Sequence, residues 1–319
     1  MRADEHRADE ERTAEGAEAE AAVAEAGRRT TSRQALARHA GFEEVSPEVG
    51  VLDEAAFDDL LTTDPDAALS LLADLTGATD QVLRELARRL AGRVVVDVVR
   101  TGAPRRRGIG RLRHVPADRS HGELDLDRGV EALAVARAHG TAPDLGELHA
   151  REWSRPDLAL CLLVDRSGSM GGSRLATAAV AAAACLWRAP TDTSVVAFAD
   201  EAVVLAGQGS GRAPETVVED LFRLRGHGPT DLGLALRTAR RQLDRSTAAR
   251  RLTVLLSDGR ATKGDDPVAE AAALDELVIV APAGDSDEAA VLADALGARW
   301  VEVAGPSDVP AALAEVLGP

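Results

Sequence analysis

The stretch DLALCLLVDRSGSMGG, Asp157–Gly172, decides how the rest of the chain is read. Leu158 to Val164 is apolar without polar alternation, the pattern of a strand buried on both faces inside a parallel sheet. The run stops at Asp165, and Ser167 and Ser169 follow at every second position. An extended or looped backbone therefore sends three oxygen-bearing side chains to one side. Gly168, Gly171 and Gly172 permit a tight turn, and the alanine-rich segment from Ser173 to Trp187 predicts a helix. Strand, oxygen-rich loop and helix in that order place the loop at the carboxyl edge of an open α/β sheet, where such folds bind ligands. Hard oxygen donors suit a small hard cation such as Mg2+. The same side chains also serve to cap the helix and close the turn, and this stretch alone does not separate the two readings.

Two later segments repeat the arrangement. GHGPTDL puts Thr230 and Asp231 just before a helix, and RLTVLLSDG puts Asp258 at the end of an apolar strand. DxSxS, then a threonine in a second loop, then an aspartate in a third, resembles the metal-ion-dependent adhesion site of von Willebrand factor type A (VWA) domains. The resemblance covers roughly the C-terminal half of the chain. It implies that Ser167, Ser169 and Thr230 offer hydroxyl ligands, and that Asp165 and Asp258 act directly or through water. It further implies Mg2+ or Mn2+ as the metal, with a coordination position left for an acidic side chain of a protein partner. Asp231 either supports Thr230 or caps the following helix, and the cap is preferred.

Around this centre the pattern is regular. TSVVAFA from Thr193, RLTVLLS, ELVIVAPA and RWVEV predict strands, and EAVVLA predicts a short antiparallel edge strand after a turn at Asp200. Helices are expected near residues 214–222, 231–243, 267–274, 285–296 and 307–317. The alternation predicts a Rossmann-like, doubly wound, mostly parallel six-stranded α/β sheet over residues 153–319, with helices on both faces. The resemblance implies the strand order 3-2-1-4-5-6.

Upstream, residues 1–31 form an acidic Ala- and Glu-rich tail, expected to stay disordered or to form a solvated helix. Residues 32–152 read as a helical pre-domain. Asp64-Pro65 is a good helix start, and Leu83, Leu86 and Leu90 make an apolar stripe that packing explains without a ligand. Arg105, Arg106, Arg107, Arg111 and Arg113 form a basic island. No aromatics interleave with it, so it reads as a solvated loop, or a contact with an acidic partner or with the protein's own acidic tail, rather than a nucleic-acid site. His114, His121, His139 and His149 lack metal-ligand spacing. A helix is expected from near Asp125 or Asp127.

The Arg- and Gly-rich loop, the DLD helix start and the central strand together are similar to stand-alone bacterial CoxE-like proteins. That resemblance implies a MoxR-type AAA+ ATPase as companion, in maturation or metal insertion of a client. The chain is also similar to the integrin-like part of magnesium- and cobalt-chelatase subunits, which carry an ATPase-like module where this chain has helices.

With 319 residues and 45% hydrophobic content the chain can bury a large core and a second, smaller unit. Aromatics make up only 2%, so alanine, leucine and valine must fill that core. The net charge of −16 opposes binding to nucleic acid or anionic membranes and favours protein partners. The start of the chain is charged from Arg2, unlike a signal peptide, and no apolar run approaches the roughly 18–20 residues of a spanning helix. A cytoplasmic protein is expected, with Cys161 and Cys185 as buried thiols rather than a disulfide.

These features predict a non-catalytic protein-binding adaptor. The alternatives are a non-catalytic subunit of a chelatase-like complex and a serine hydrolase using Ser167 or Ser169. A hydrolase elbow wants GxSxG with a partnered histidine, whereas Arg166 precedes Ser167 and the loop histidine is His227. Lys263 stands outside any phosphate-binding loop.

Overall fold

The computed structural model describes residues 12–102, 111–117, 123–144, 148–154, 158–167, 172–224, 226 and 228–317. Two compact units divide the chain, one from Met1–Pro104 with Leu158–Gly318, the other from Arg105–Asp157. The first unit opens with β1 (Thr13–Ala14), α1 (Ala17–Ala26), α2 (Arg33–Leu36), α3 (Phe42–Val45), α4 (Glu54–Thr63), α5 (Pro65–Leu75) and α6 (Gln81–Gly102). The second unit holds β2 (Arg111–Pro116), β3 (Glu123–Leu124), α7 (Leu126–His139) and β4 (His149–Ser154). The first unit resumes with β5 (Leu158–Asp165), α8 (Gly172–Arg188), β6 (Thr193–Phe198), β7 (Ala202–Ala206), α9 (Pro214–Arg223) and α10 (Leu232–Leu243). It ends with β8 (Arg250–Leu256), α11 (Pro267–Ala271), β9 (Leu277–Pro282), α12 (Asp287–Leu296), β10 (Arg299–Val303) and α13 (Val309–Leu317).

The apolar run Leu158–Val164 is the middle of the sheet. β5 pairs in parallel with β6 on one side and β8 on the other. β9 and β10 extend the sheet in parallel, and β7 turns back antiparallel to β6. The full order is β1-β7-β6-β5-β8-β9-β10. Counted from β5, this is the expected 3-2-1-4-5-6, widened to seven strands by β1, which lies parallel to β7. Within the tail, Thr13–Ala14 form β1 and Ala17–Ala26 form α1, and β7 is not an edge. A tract so poor in large apolar residues folds here because β7 offers free backbone groups to β1, and because α1 buries only Ala19 and Val23.

Alternate residues of β5 feed two cores. Leu160, Leu162 and Val164 face one with α8, α9 and α13, while Ala159, Cys161 and Leu163 face the other with α10, α11 and α12. Helices α5 and α6 add a further layer over α8, joining the first core through Leu69, Leu72, Leu83 and Leu90. Helix α8 is thus enclosed by the sheet and by other helices, and its side chains from Leu175 to Ala183 are all buried. Its many alanines follow from that position, since small side chains let helices pack closely on two sides. Of the helical pre-domain read at 32–152, the helices up to Gly102 belong to the sheet unit, and the unit boundaries fall after Pro104 and Asp157.

In the second unit, β2, β4 and β3 form a three-stranded antiparallel sheet. Asp125 caps α7 by accepting from the Arg128 N–H and also accepts from Arg151 at 2.8 Å. Of the basic island, Arg111 and Arg113 lie in β2 rather than in a loop, and Arg105–Arg107 fall outside the described residues. His114 and His149 lie in β2 and β4, His139 ends α7, and His121 is outside the described residues. Cys161 and Cys185 are free, buried, and assigned to opposite cores of the sheet; burial pushes both thiols up to about 12. Among the described residues no helix is long and apolar enough to cross a membrane.

Candidate metal site

The carboxyl end of β5 carries Asp165. Its Oδ1 accepts the Ser167 N–H at 2.8 Å, and its Oδ2 accepts the Ser257 hydroxyl at 2.7 Å. Ser257 Oγ in turn accepts the Gly259 N–H at 3.0 Å, so the end of β5 is tied to the loop that follows β8. Asp258, in that loop, accepts the Arg260 N–H on Oδ1 at 3.0 Å, with the Arg260 guanidinium 3.6 Å from Oδ2. Asp165, Ser167 and Asp258 line one cleft of about 90 Å³, whose lining also includes the apolar Leu256, Pro282, Val303 and Ala304. Arg174 of α8 also lines it. Asp285 pairs with Arg174 at 3.1 Å and with Arg260 at 2.6 Å, which sets two guanidinium groups beside the cleft.

Thr230 does not line the cleft, yet it stands at the same sheet edge. The Asp231 N–H donates to the Ala199 carbonyl, just past β6, at 2.8 Å. The Thr230 carbonyl accepts from the N–H groups of Thr262 and Lys263 at 3.0 and 3.1 Å. The Thr230 N–H donates to Thr262 Oγ1 at 2.8 Å, so the second loop is stitched to the residues that follow Asp258. Asp231 is fully buried and caps α10 by accepting the Leu234 N–H at 2.9 Å. Its other oxygen accepts from Arg12 at 2.7 Å. Gly264 packs so closely on this carboxylate that a Cβ there would lie 2.2 Å from Oδ1. Ser169 and His227 fall outside the described residues.

Electrostatics follow from burial. Loss of water pushes the Asp165 carboxyl above its ordinary value, with Asp258 adding to the effect, while hydrogen bonds from Ser167 and Ser257 act against it. Burial likewise lowers Arg166, against the pull of Glu201 and Asp200. Ser257, Thr262 and Arg12 are contributors that sequence reasoning missed. Ser257 had a readable signal, a hydroxyl immediately before Asp258 at a strand end; Arg12 had none.

The site offers two carboxylates and hydroxyls. Among the described residues no three His, Cys, Asp or Glu side chains gather to hold a metal, so a cation here would have to complete its shell with hydroxyl oxygens and water. That donor set is hard throughout, which fits Mg2+ or Mn2+ and disfavours softer metals.

A doubly wound sheet with these loops at its carboxyl edge defines a VWA-type fold. Residues 83–307 match the family model described as VWA domain containing CoxE-like protein, and the chain belongs to that family. No curated protein matches it. Among solved structures it is similar to a von Willebrand factor type A protein from Catenulispora acidiphila, at 20% identity and TM-score 0.40, over 51% of this chain and 42% of that one. The chain thus spans less than half the length of that relative. It is also similar to BatB from Bacteroides thetaiotaomicron, at 16% identity and TM-score 0.41, over 50% of this chain and 97% of that one. A third, the manganese-loaded TRAP protein of Plasmodium vivax, shows 15% identity and TM-score 0.40 over 51% and 74% of the two chains.

Proposed function

We propose that this protein is a non-catalytic adaptor that docks an acidic residue of a protein partner on a divalent cation. The observation that carries the reading is the convergence of Asp165, Ser167 and Asp258 on one cleft, with the Thr230 loop hydrogen-bonded to the loop beyond Asp258. Asp165, Ser167 and Asp258, with Ser169 and Thr230 from the motif, would hold Mg2+ or Mn2+ directly or through water. The metal supplies Lewis acidity toward an incoming carboxylate. Two carboxylates balance a divalent ion, so a third from a partner is attracted mainly where Arg174 and Arg260 add positive charge beside the cleft. Hydrogen bonds from Ser167 and Ser257 keep the Asp165 carboxylate aimed, and the apolar residues of the lining limit competing water.

The companion in this reading is a MoxR-type AAA+ ATPase, as CoxE-like membership suggests, and the place of action is the cytoplasm. The test is Mg2+ titration by calorimetry on the protein and on Asp165→Ala, followed by binding to a MoxR-type ATPase in Mg2+ and in chelator. Saturable Mg2+ binding that Asp165→Ala abolishes, together with ATPase binding lost in chelator, is expected. ATPase binding indifferent both to chelator and to the substitution would overturn metal-gated docking.

A further inference from the structure

We propose that the region preceding the family-matched stretch is a working part of the metal site, with Asp74 and Arg12 as positioning residues for two of its loops. The proposal rests on the metal-docking reading above and deepens it. Gly172 opens α8 three residues after Ser169 and adopts a left-handed φ of +46°. Helix α5 occupies the space a side chain would need, since a Cβ on Gly172 would lie 2.6 Å from Ser70 Oγ and 3.3 Å from Asp74 Oδ2. The Gly172 N–H, one of the amides a helix start leaves without an intrahelical acceptor, donates to Asp74 Oδ1 at 3.1 Å. Asp74 Oδ2 is held in turn by His39 Nε2 at 2.8 Å. Both side chains are largely shielded, at 16% and 23% exposure, so the carboxylate is held by an imidazole on one oxygen and holds the first residue of α8 with the other.

The second loop is gripped from farther away in sequence. Arg12 donates through Nε to the Asp200 carbonyl at 3.1 Å, reaches Asp231 at 2.7 Å, and its own carbonyl accepts the Ala202 N–H at 3.0 Å. Its guanidinium compensates a carboxylate with no exposure, directly beside Thr230. Arg12, His39 and Asp74 all precede residue 83, where the family match begins. Both grips act inside a single compact unit.

The experiment compares the full chain with Asp74→Ala, Asp74→Asn, His39→Gln and Arg12→Gln. Mn2+ affinity is read from the electron paramagnetic resonance of the free ion, and amide hydrogen exchange is followed without metal. Asp74→Ala is expected to weaken Mn2+ about tenfold or more, the usual effect of losing an outer-shell partner. It should also speed exchange at Gly172–Leu175 while Leu160–Val164 stay protected. Asp74→Asn, which keeps an oxygen for the Gly172 N–H, recovers most of the affinity, and His39→Gln, which keeps a donor to Asp74, does the same. Arg12→Gln acts instead on exchange around residues 230–234 and likewise weakens Mn2+.

Affinities within twofold of the parent for both Asp74→Ala and Arg12→Gln would overturn the proposal. Should Asp74→Ala not fold, Asp74→Asn and His39→Gln decide, and a loss of affinity in those two as complete as in Arg12→Gln counts against a graded grip. If the parent chain binds no Mn2+, the docking reading fails by itself. The grips are then judged on exchange alone: local acceleration at each loop supports them, and unchanged exchange sinks them.

Discussion

Gly264 shows how little room the second metal loop leaves for change. It adopts φ +90°, a conformation that L side chains rarely take, and its missing Cβ would fall within 2.7 Å of three atoms of the Asp231 carboxylate. Asp231 cannot retreat, since it caps α10 and is held by Arg12. Gly264→Ala is therefore expected to destabilise the protein by about 3 kcal/mol, from backbone strain plus overpacking. Chemical denaturation measures this directly, and a loss below about 0.5 kcal/mol would show that the pocket yields. At this scale the sequence was legible where chemistry sits at strand ends. Asp165 and Asp258 stop apolar runs, and the structure places both, with Ser167, on one cleft. Arg12 was not legible, because its partner lies 219 residues away and nothing local distinguishes it from other arginines of the tail. Asp74 was hidden for the same reason: its neighbours spell an ordinary amphipathic helix.

Elements were easier to read than their neighbours in space. Five of the strands around β5 were visible in the sequence, whereas their order was an expectation of the VWA resemblance, which the sheet matches. β1 was invisible, since two residues carry no periodicity and only pairing with β7 makes them a strand. The place of α5 and α6 had a clue that went unused, namely that α8 has no polar face and so must be covered outside the sheet.

The join between β8, β9 and α13 gives a prediction at the same scale. Arg250, at the start of β8, makes two 2.8 Å bonds to Glu276 and a third, at 2.9 Å, to the Leu317 carbonyl of α13. Hydrogen bonding to Arg250 holds the Glu276 carboxyl below its ordinary value. The folded protein therefore binds this proton less tightly than the unfolded chain does, so the stabilisation is complete above the ordinary carboxylate range and fades as acid titrates the folded group. Glu276→Gln should cost at most about 1 kcal/mol near neutrality, as the pair is partly exposed, and the gap should close on acidification. Melting temperatures of both proteins across pH 3–7 test it; a constant gap would remove the ion pair as its cause.

For the molecule as a whole, the chain leaves its main unit after Pro104 and re-enters it at Leu158. Among the described residues, neither core of the main unit includes one from 105–157. A chain in which that segment is replaced by a flexible Gly/Ser linker should keep a single cooperative unfolding transition and the same Mg2+ response as the parent, which calorimetry can read. Loss of cooperativity would mean that the excised unit supports the sheet. This division escaped sequence reading because helical periodicity runs on through α6 and gives no sign that its apolar stripe belongs with α8 and α9, found much later.

The two cysteines have a practical consequence. They are the chain's complete thiol inventory, one in each core, and neither presents a reactive thiolate while the sheet stays closed. A disulfide reagent added to the native protein thus acts as a stopwatch for the opening of either side of the sheet. Cys161→Ser and Cys185→Ser variants, each retaining one thiol, would time the two sides separately. Because α5 and α6 lie over only one core, the side sealed by two layers of helix should run the slower clock.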